Sequence, residues 1–494
     1  MKNFFKLILL IIFCSYPGVT FLQETNNDLP GDIKLPETPA GQIFRDFIDA
    51  YNTGNEGYLK SFAEKHYAKE IEDKVDYWME IYYRFGPASM FSISIDKPYD
   101  IEVWLHGKFT NAWFGVELIL KEETGKIKAT GLLTGQQPDN APDISVPEKE
   151  LPGKLSSYLT TLSDSGYFSG TVLVAKDGAP VFEGAYGYAN KELNMLNGID
   201  TRFNLASITK VFTGIAIAQL VEQGKISYND LIEKYIPEYP RDISEKVTIH
   251  HLLTHTSGIE LDHTDEFNTA KRNSKNLEEL LNVHLQYLHT LKNRENFEPL
   301  KKFDYSNEGY DLAALIVERV SGKNFLDYLR ENIFIPAGMN NTGVRTENPK
   351  DGNSATGYTH YKDLDMTFDR HEEIPNTIFL DPFSGSSGLY SSVEDLNLLV
   401  KALMGNVLLS PEYVNEITTS RIDVFGNGVN GRSYGYGFDL LKENGILSIG
   451  HNGGIIGGST ELRYYPESGY TVIVLSNFRH SAIIVSNYIR DLLF

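Results

Sequence analysis

The first part of the chain carries apolar residues at helical spacing, followed by apolar runs of strand length. Residues 41–51 and 58–67 have the helical pattern, so we expect two helices there. The runs with strand character are residues 91–95, 101–105, 113–121 and 126–133. Helices followed by a strand meander are typical of a small α+β unit, which we predict over residues 40–135.

The next stretch, residues 136–150, is polar, contains three prolines and shows no apolar periodicity. Such a composition is typical of an exposed connection between two folded units. We therefore predict a linker here and a second domain over residues 151–494.

Hairpin patterns stand at both ends of this second domain. Residues 170–185 form two apolar runs around Asp177 and Gly178, a dipeptide that favours a tight turn. Near the carboxyl end, residues 460–466 and 470–477 form another pair of runs, and residues 481–494 have helical character. We expect one antiparallel sheet, built from both chain ends and covered by helices, and thus an α+β fold.

The first residues have the pattern of an export signal. Lys2 and Lys6 accompany an apolar run over residues 7–13, and residues 15–18 interrupt that run before it is long enough to cross a bilayer. We expect residues 1–22 to direct export, which would make the protein periplasmic or secreted. No other stretch is apolar over a sufficient length to span a membrane.

Cys14 is the only cysteine of the chain. Cleavage beyond it would leave no thiol, which excludes disulfides, a cysteine nucleophile and thiolate metal ligands from the mature chain. Alternatively, Cys14 is the lipid-bearing first residue of a lipoprotein. Phe13 argues against lipidation, because it departs from the small residue of such cleavage sites.

The charge balance restricts the class of partner. The chain has 494 residues, enough for two domains, with 66 acidic and 45 basic side chains and a formal net charge of −21. This excess of negative charge argues against nucleic acid and anionic membrane surfaces as partners.

Ser207 and Lys210 form the first candidate chemical cluster. Residues three apart on a helix share a face, so the lysine amine lies within reach of the serine hydroxyl and can accept its proton. The apolar run that follows, ending at Gly224, predicts a buried helix, and burial favours the neutral amine. The alternative is a serine N-cap followed by a solvated lysine.

Tyr305 and Asn307 form the second cluster, just before a helical pattern that ends at Gly322. A loop that meets a helix start presents polar groups to a cleft, and a phenol near a lysine ammonium loses its proton more easily. The alternative is an asparagine cap beside a packed tyrosine.

The third cluster is His451 with Gly453 and Gly454. Glycines allow a strand to approach a ligand closely and to offer backbone N–H groups to a carbonyl oxygen. His451 would hydrogen-bond the substrate or the tyrosine. The alternative is a glycine-rich hairpin with a surface histidine.

Taken in order, the three clusters resemble the serine β-lactamase and penicillin-binding-protein family. The tyrosine in the second cluster looks like class C β-lactamases, DD-peptidases, D-aminopeptidases and related esterases. The resemblance covers about residues 151–494 and includes residues 248–259, 386–396, 434–438 and 451–477. The first domain resembles, faintly, the cone-like fold of nuclear-transport-factor-2-like domains.

The family resemblance implies a role for each candidate residue. Ser207 would be the acylated nucleophile and Lys210 its partner in proton removal. Tyr305 would protonate the leaving group and later activate water, while Asn307 would hold the substrate amide. The backbone N–H groups of Ser207 and Gly454 would form the oxyanion hole, and no cofactor is implied.

One departure from the family pattern concerns the substrate. His451 stands where β-lactamases and transpeptidases carry lysine, and a neutral histidine would weaken the hold on a carboxylate. We therefore expect hydrolysis of an amide or ester, with a small molecule or short peptide as substrate and efficient β-lactam hydrolysis in doubt. The alternative function is a binding or sensor protein that has lost hydrolysis on the same fold.

A zinc site is the remaining possibility raised by the sequence. His251 and His255 stand four residues apart, but no glutamate lies between them as in a metalloprotease helix. The family resemblance implies a structural role for these histidines, and we predict no metal.

Overall fold

A computed structural model describes residues 33–134, 137–291, 294, 297–345, 353–360, 373–376, 382–426 and 430–494. The predicted export signal, residues 1–22, and Cys14 lie outside this part of the chain. None of the helices in the described part has both the length and the apolar character needed to cross a membrane.

The amino-terminal unit consists of helices followed by a four-stranded antiparallel meander. Its elements are α1 (Pro39–Asn52), α2 (Glu56–His66), α3 (Ile71–Phe85), β1 (Ala88–Lys97), β2 (Asp100–Gly107), β3 (Trp113–Leu120) and β4 (Ile127–Leu133), and the sheet order is β1-β2-β3-β4. The helices expected over residues 41–51 and 58–67 are present, but α3 was not predicted. Its buried face, which includes Val75, Trp78 and Phe85, has the helical spacing that should have revealed it.

The core of this unit is rich in aromatic side chains. Trp78 lies 4.5 Å from the ring of Phe47, and its indole N–H donates to the Tyr67 hydroxyl at 3.1 Å. These rings fill the space between the helices and the inner face of the sheet. The likeness to nuclear-transport-factor-2-like domains stays a prediction.

The second part of the chain is organised around an eight-stranded antiparallel sheet. Its order along the sheet is β13-β14-β15-β16-β17-β18-β5-β6. The strands of this part are β5 (Gly170–Lys176), β6 (Ala179–Tyr186), β7 (Tyr188–Asn190), β8 (Met195–Leu196), β9 (Phe203–Asn204), β10 (Tyr358–Thr359), β11 (Ile374–Pro375), β12 (Tyr390–Ser391), β13 (Ile422–Phe425), β14 (Gly431–Tyr434), β15 (Asp439–Glu443), β16 (Ile446–Ile455), β17 (Gly458–Tyr465) and β18 (Tyr470–Ser476).

Both chain ends contribute to this sheet, as the hairpin patterns predicted. Strand β18 pairs along its whole length with β5, from Tyr470 opposite Lys176 to Ser476 opposite Gly170. Asp177 and Gly178 both have positive φ at the turn into β6, the conformation that a two-residue hairpin requires. The expected antiparallel sheet covered by helices is confirmed.

Helices cover both faces of the sheet. They are α4 (Leu151–Asp164), α5 (Thr209–Glu222), α6 (Arg241–Ser244), α7 (Ile249–Leu253), α8 (Asp265–Asn273), α9 (Leu277–Tyr287), α10 (Asn307–Ser321), α11 (Phe325–Leu329), α12 (Ile335–Ala337), α13 (Val393–Met404), α14 (Pro411–Ile417) and α15 (Ser481–Leu493). Helices α4 and α15 share a core with one face, whereas α5, α10 and α13 belong to the larger core on the other face.

The two units are in direct contact. Ile484 of α15 belongs to the aromatic core of the amino-terminal unit, and the Tyr158 hydroxyl of α4 donates to the Thr110 carbonyl at 2.7 Å. The connection between the units is bound to α15, since the N–H of Val146 donates to the Leu492 carbonyl at 2.9 Å. The amino-terminal unit therefore rests on the two helices that cover the outer face of the large sheet.

Candidate active site

The candidate nucleophile lies in a constrained turn at the start of α5. Ser207 is the middle residue of a single 3-10 turn, Ala206–Ile208, that runs directly into the helix. Ala206 adopts a positive φ of 47°, and its N–H donates to the Asn204 side-chain oxygen at 2.8 Å. A left-handed backbone at a residue with a side chain costs on the order of 1–3 kcal/mol. The surrounding packing therefore has to hold this turn in place.

The helix that carries Lys210 is buried on all sides. Every residue from Thr209 to Leu220 is buried, because the sequence is apolar around the whole circumference rather than along one face. Lys210 shares this environment, with a side chain that is 0% exposed. The alternative of a solvated helix lysine is therefore wrong.

Three oxygen atoms surround the Lys210 amine. Its Nζ lies 3.1 Å from Ser207 Oγ, 2.8 Å from Asn307 Oδ1 and 3.0 Å from the Ser386 carbonyl. Three acceptors match the three N–H donors of an ammonium group. The arrangement connects the first and second sequence clusters through one buried nitrogen.

Tyr305 completes the contacts of the serine hydroxyl. The phenol donates to Ser207 Oγ at 2.8 Å, and the Lys210 Nζ lies 4.9 Å from the centre of the Tyr305 ring. Burial raises the pKa of the Tyr305 phenol above its ordinary value, although its hydrogen bond to Ser207 lowers it. From the sequence we expected the neighbouring lysine to make the phenol more acidic. Desolvation of the phenolate is the larger effect.

Asn307 is positioned by the start of α10. Ser306 is the N-cap, and its Oγ accepts the N–H of Gly309 at 3.0 Å. Asn307 is the first residue of the helix, and Gly322 ends the helix in the left-handed conformation, as the sequence predicted. The cap thus fixes the directions of two neighbouring side chains, Tyr305 in the loop and Asn307 in the first turn.

His255 supports the tyrosine loop, a contact that the sequence did not reveal. Its ring stacks on Tyr305 with 4.2 Å between centres and an angle of 25° between planes. Its Nδ1 accepts the N–H of Ser306 at 3.0 Å. Burial, followed by the positive charge of Lys210, holds the pKa of His255 well below its usual range. The histidine is therefore a neutral acceptor beneath the loop.

His451 lies close to the site but faces away from solvent. It is 1% exposed, its Nε2 is 2.8 Å from the Tyr434 hydroxyl, and its Nδ1 is 2.5 Å from the Asn452 carbonyl. A carbonyl only accepts, so Nδ1 carries the proton and Nε2 accepts from Tyr434. Burial lowers the pKa of His451 to about 3 despite the nearby Asp439.

Gly453 permits the strand to approach the nucleophile turn. A Cβ at this position would lie 2.2 Å from the Leu205 carbonyl and 3.1 Å from the Ala206 Cβ, whereas a Cβ at Gly454 would meet nothing within 4 Å. The first glycine is therefore required by packing, and the second leaves open space beside the strand. Strand β15 pairs with β16 only as far as Gly450. Beyond that point, β16 has a ladder partner on one side only among the described strands.

A buried ion network lies behind this strand. Arg463 donates to Asp439 and to Glu461, each at 3.0 Å, and Arg432 donates to Asp439 at 2.6 Å. Burial alone would raise the pKa of Asp439, but Arg463 and Arg432 bring it below its ordinary value. Burial raises the pKa of Glu461 to about 7. The charges of this network therefore compensate one another inside the sheet.

Within the described residues, no group of three or more histidine, cysteine, aspartate or glutamate side chains is arranged to hold a metal ion. His251 and His255, the two histidines considered as zinc ligands, accept hydrogen bonds from backbone N–H groups. His251 Nδ1 accepts the N–H of Thr248 at 3.1 Å in a capping box, and His255 Nδ1 accepts the N–H of Ser306.

Comparisons with known proteins match most of the second part of the chain. The Beta-lactamase family model matches residues 155–492. Penicillin-binding protein 4* of Bacillus subtilis (strain 168) is 31% identical over 334 residues, which are 65% of this chain and 71% of that protein.

Solved structures show the same likeness. A penicillin binding protein from Bacillus halodurans is 31% identical, with a TM-score of 0.58 over 67% of this chain and 98% of that chain. The D-amino acid amidase from Ochrobactrum anthropi SV3, solved with L-phenylalanine, is 25% identical, with a TM-score of 0.56 over 70% of this chain and 97% of that chain.

The contacts of His255 predict the effect of its replacement. His255→Leu leaves the Ser306 N–H buried without an acceptor, which costs about 1–3 kcal/mol of the free energy of unfolding. His255→Asn retains an acceptor near the position of Nδ1, and we expect it to recover part of that loss. Urea unfolding of the three proteins at neutral pH measures the difference, and equal stability of the Leu and Asn variants would contradict the role of the hydrogen bond.

The burial of His451 predicts a pH dependence of stability. An unfolded histidine binds a proton near pH 6.5, but folded His451 does so only near pH 3. The unfolded state binds more protons between these values, so the contribution of neutral His451 is complete above pH 6.5 and is lost as the pH falls towards 3. His451→Gln removes this contribution, and its free energy of unfolding should fall less steeply than that of wild type from pH 7 to 4.

The measurement is urea unfolding at four pH values in this range. His289→Gln, which replaces an exposed histidine, is the matched control. Identical slopes for wild type and His451→Gln would show that His451 takes up its proton equally in both states.

Proposed function

Because the chain belongs to the β-lactamase family of serine hydrolases, we propose that it hydrolyses an amide or ester through an acyl-enzyme on Ser207. The observation that carries this proposal is the pair of contacts at Ser207 Oγ, with the Lys210 amine at 3.1 Å and the Tyr305 phenol at 2.8 Å. A base and an acid on one hydroxyl are what acyl transfer requires.

In the acylation step, Ser207 Oγ attacks the substrate carbonyl carbon. The neutral form of Lys210 takes the hydroxyl proton and becomes an ammonium, whose other two N–H groups are directed to Asn307 Oδ1 and the Ser386 carbonyl. Tyr305 gives its proton to the leaving nitrogen or oxygen. The proton held by Lys210 then restores the phenol, so one proton passes in total from Ser207 to the leaving group.

Deacylation follows the same path in reverse. Lys210 takes the phenol proton of Tyr305, and the resulting phenolate takes a proton from water. The hydroxide that forms attacks the acyl carbon. The serine oxygen leaves and recovers a proton from Lys210. The raised pKa of Tyr305 supports its role as the acid in acylation, because a phenol that remains protonated can give its proton to the leaving group.

The oxyanion that forms on the carbonyl needs preorganised donors. We assign them to the backbone N–H groups of Ser207, in the turn before α5, and of Gly454, on the part of β16 that pairs with β17 alone. The close approach of Gly453 to the Leu205 carbonyl supports this assignment, because it brings the strand against the nucleophile turn. Asn307, with its Oδ1 turned to Lys210, has its side-chain NH₂ group left for a substrate carbonyl.

The substrate class follows from the neutral state of His451. Both of its ring nitrogens are engaged within the protein, and it carries no charge near neutral pH. We therefore assign it to positioning Tyr434 and the strand rather than to binding a carboxylate beside the scissile bond. An ester or amide without a carboxylate at that place fits better than a β-lactam, and the amidase among the structural relatives acts on that kind of bond.

The decisive experiment is intact-mass analysis after treatment with a fluorophosphonate. We expect one adduct on wild type and none on Ser207→Ala. Lys210→Met and Tyr305→Phe should label at least 100-fold more slowly, since general acid–base catalysis supplies about 10²–10⁴ in rate. Ser165→Ala, in the turn after α4, is a control that should label like wild type.

Two outcomes would overturn the proposal in different ways. No adduct on wild type would favour the alternative of a binding or sensor protein on this fold. An adduct that persists in Ser207→Ala would place the nucleophile elsewhere. Initial rates with short acyl esters, D-amino-acid amides and a chromogenic cephalosporin then establish the substrate class, and we expect the cephalosporin to be the poorest of the three.

We also propose that residues 1–22 direct export. The lysines at the start and the short apolar run support this assignment. Mass analysis of the mature protein recovered outside the cytoplasm should find a chain that begins after Cys14. A chain that retains Met1 would contradict export by cleavage, and a lipid-modified Cys14 at the new terminus would establish anchoring instead.

A further inference from the structure

A cleft of about 700 Å³ lies between the glycine-rich part of β16 and the amino-terminal unit. One part of its wall is the segment of β16 that pairs with β17 alone, including Gly453 and Gly454. The wall also includes Arg84, the penultimate residue of α3, together with Arg479 and His480 from the connection between β18 and α15. A residue of the amino-terminal unit therefore lines the same cleft as the glycines beside the nucleophile turn.

Arg84 is a cation whose charge is poorly compensated. Its Nε is buried without a hydrogen-bond partner in the described part of the chain. The centre of the Phe85 ring lies 4.7 Å from the guanidinium carbon. Burial lowers the pKa of Arg84, the negative charge of Glu80 partly opposes this effect, and the positive charge of Arg479 adds to it. The two lowering effects would be offset by an anion in the cleft.

The other charged groups of the cleft wall do not neutralise the positive charge of Arg84. Arg479 forms an ion pair with Glu80 at 3.2 Å, and Arg272 of α8 adds a further guanidinium. The carboxylates on the wall are Asp265 and Glu461, of which Glu461 is held by the buried Arg463. Because the whole chain has a formal net charge of −21, a local group of arginines is not a consequence of a basic composition.

We propose that Arg84 and Arg272 form an anion-binding subsite for the acyl portion of the substrate. This inference rests on the proposed function, and it names the substrate class as acyl compounds that carry a carboxylate at a distance from the scissile bond. Strand β16 continues from Gly454 to Ile455 along the cleft, so an acyl chain that leaves the oxyanion hole in this direction extends towards the arginines. A guanidinium binds a carboxylate through two parallel N–H groups, which gives both affinity and direction.

The subsite also gives the amino-terminal unit a part in substrate selection. Its contacts with α4 and α15 place the end of α3 at the cleft. The distant carboxylate bound there differs from the carboxylate beside the scissile bond, for which the neutral His451 offers no cation.

Mono-p-nitrophenyl esters of linear dicarboxylic acids, from succinic to sebacic acid, test the proposal when compared with their methyl esters. At neutral pH and low ionic strength, wild type should show a KM about tenfold lower for the free acid at one or more chain lengths, the effect of about one charge-assisted hydrogen bond. Arg84→Gln should reduce the ratio of the two KM values to about one, and Arg84→Lys should retain part of it. Arg45→Gln, on α1 and paired with Glu37 at 3.7 Å, is the matched control and should behave as wild type.

Folding and function are tested separately from the subsite. Circular dichroism and the thermal midpoint establish that each variant is folded, and Arg272→Gln, which changes a different helix, should also lower the ratio. Calorimetric binding of monomethyl and dimethyl dicarboxylates to Ser207→Ala measures the same preference without turnover. If the protein binds the free acid more tightly than the methyl ester but wild type hydrolyses neither, the proposed hydrolase activity is wrong and the proposed subsite stands. If wild type hydrolyses the esters with no preference for the free acid at any chain length, the proposed subsite is wrong. The same holds if that preference persists in both Arg84→Gln and Arg272→Gln.

Discussion

The complete burial of Lys210 is the constraint on which the candidate site depends. An amine removed from water has to find its hydrogen-bond partners inside the protein, because an unsatisfied buried cation costs several kcal/mol. Its partners are Ser207, Asn307 and the Ser386 carbonyl. These three come from the start of α5, the start of α10 and the segment before α13. Satisfying one nitrogen therefore holds together three regions that are far apart in the sequence.

The aromatic groups around this nitrogen provide the second level of organisation. His255 stacks beneath Tyr305 and holds the next residue of the loop through Ser306. Tyr434 lies at 4.8 Å from the ring of His255 and donates to His451. Neutral histidines thus serve as rigid acceptors between tyrosines, and their low pKa values follow from the same burial that raises the pKa of Tyr305. The water-poor interior keeps these two histidines and Tyr305 in their uncharged forms.

The sequence predicted most of the secondary structure and all three clusters, for physical reasons that can be named. Hairpin turns and helix ends depend on local residues, so the turn at Gly178 and the helix that ends at Gly322 could be located from the sequence. Helix α3 was not predicted, although Val75, Trp78 and Phe85 lie at the spacing of one buried helix face. The sequence also led us to expect an acidified phenol at Tyr305, since it shows that a lysine is near but not how much water is excluded.

The sequence by itself determined the order and identity of the candidate reacting groups: a serine with a lysine three residues later, a tyrosine with an asparagine, and a glycine-rich strand. Spacing on one helix is enough to bring Ser207 to Lys210. Only the tertiary structure decided which atoms meet across these clusters, because the contacts of Asn307 with Lys210 and of His451 with Tyr434 join residues on different elements. It also decided that Arg84, from the other unit, lines the same cleft as Gly454. Long-range contacts and desolvation depend on how layers pack, and no local pattern of residues records that packing.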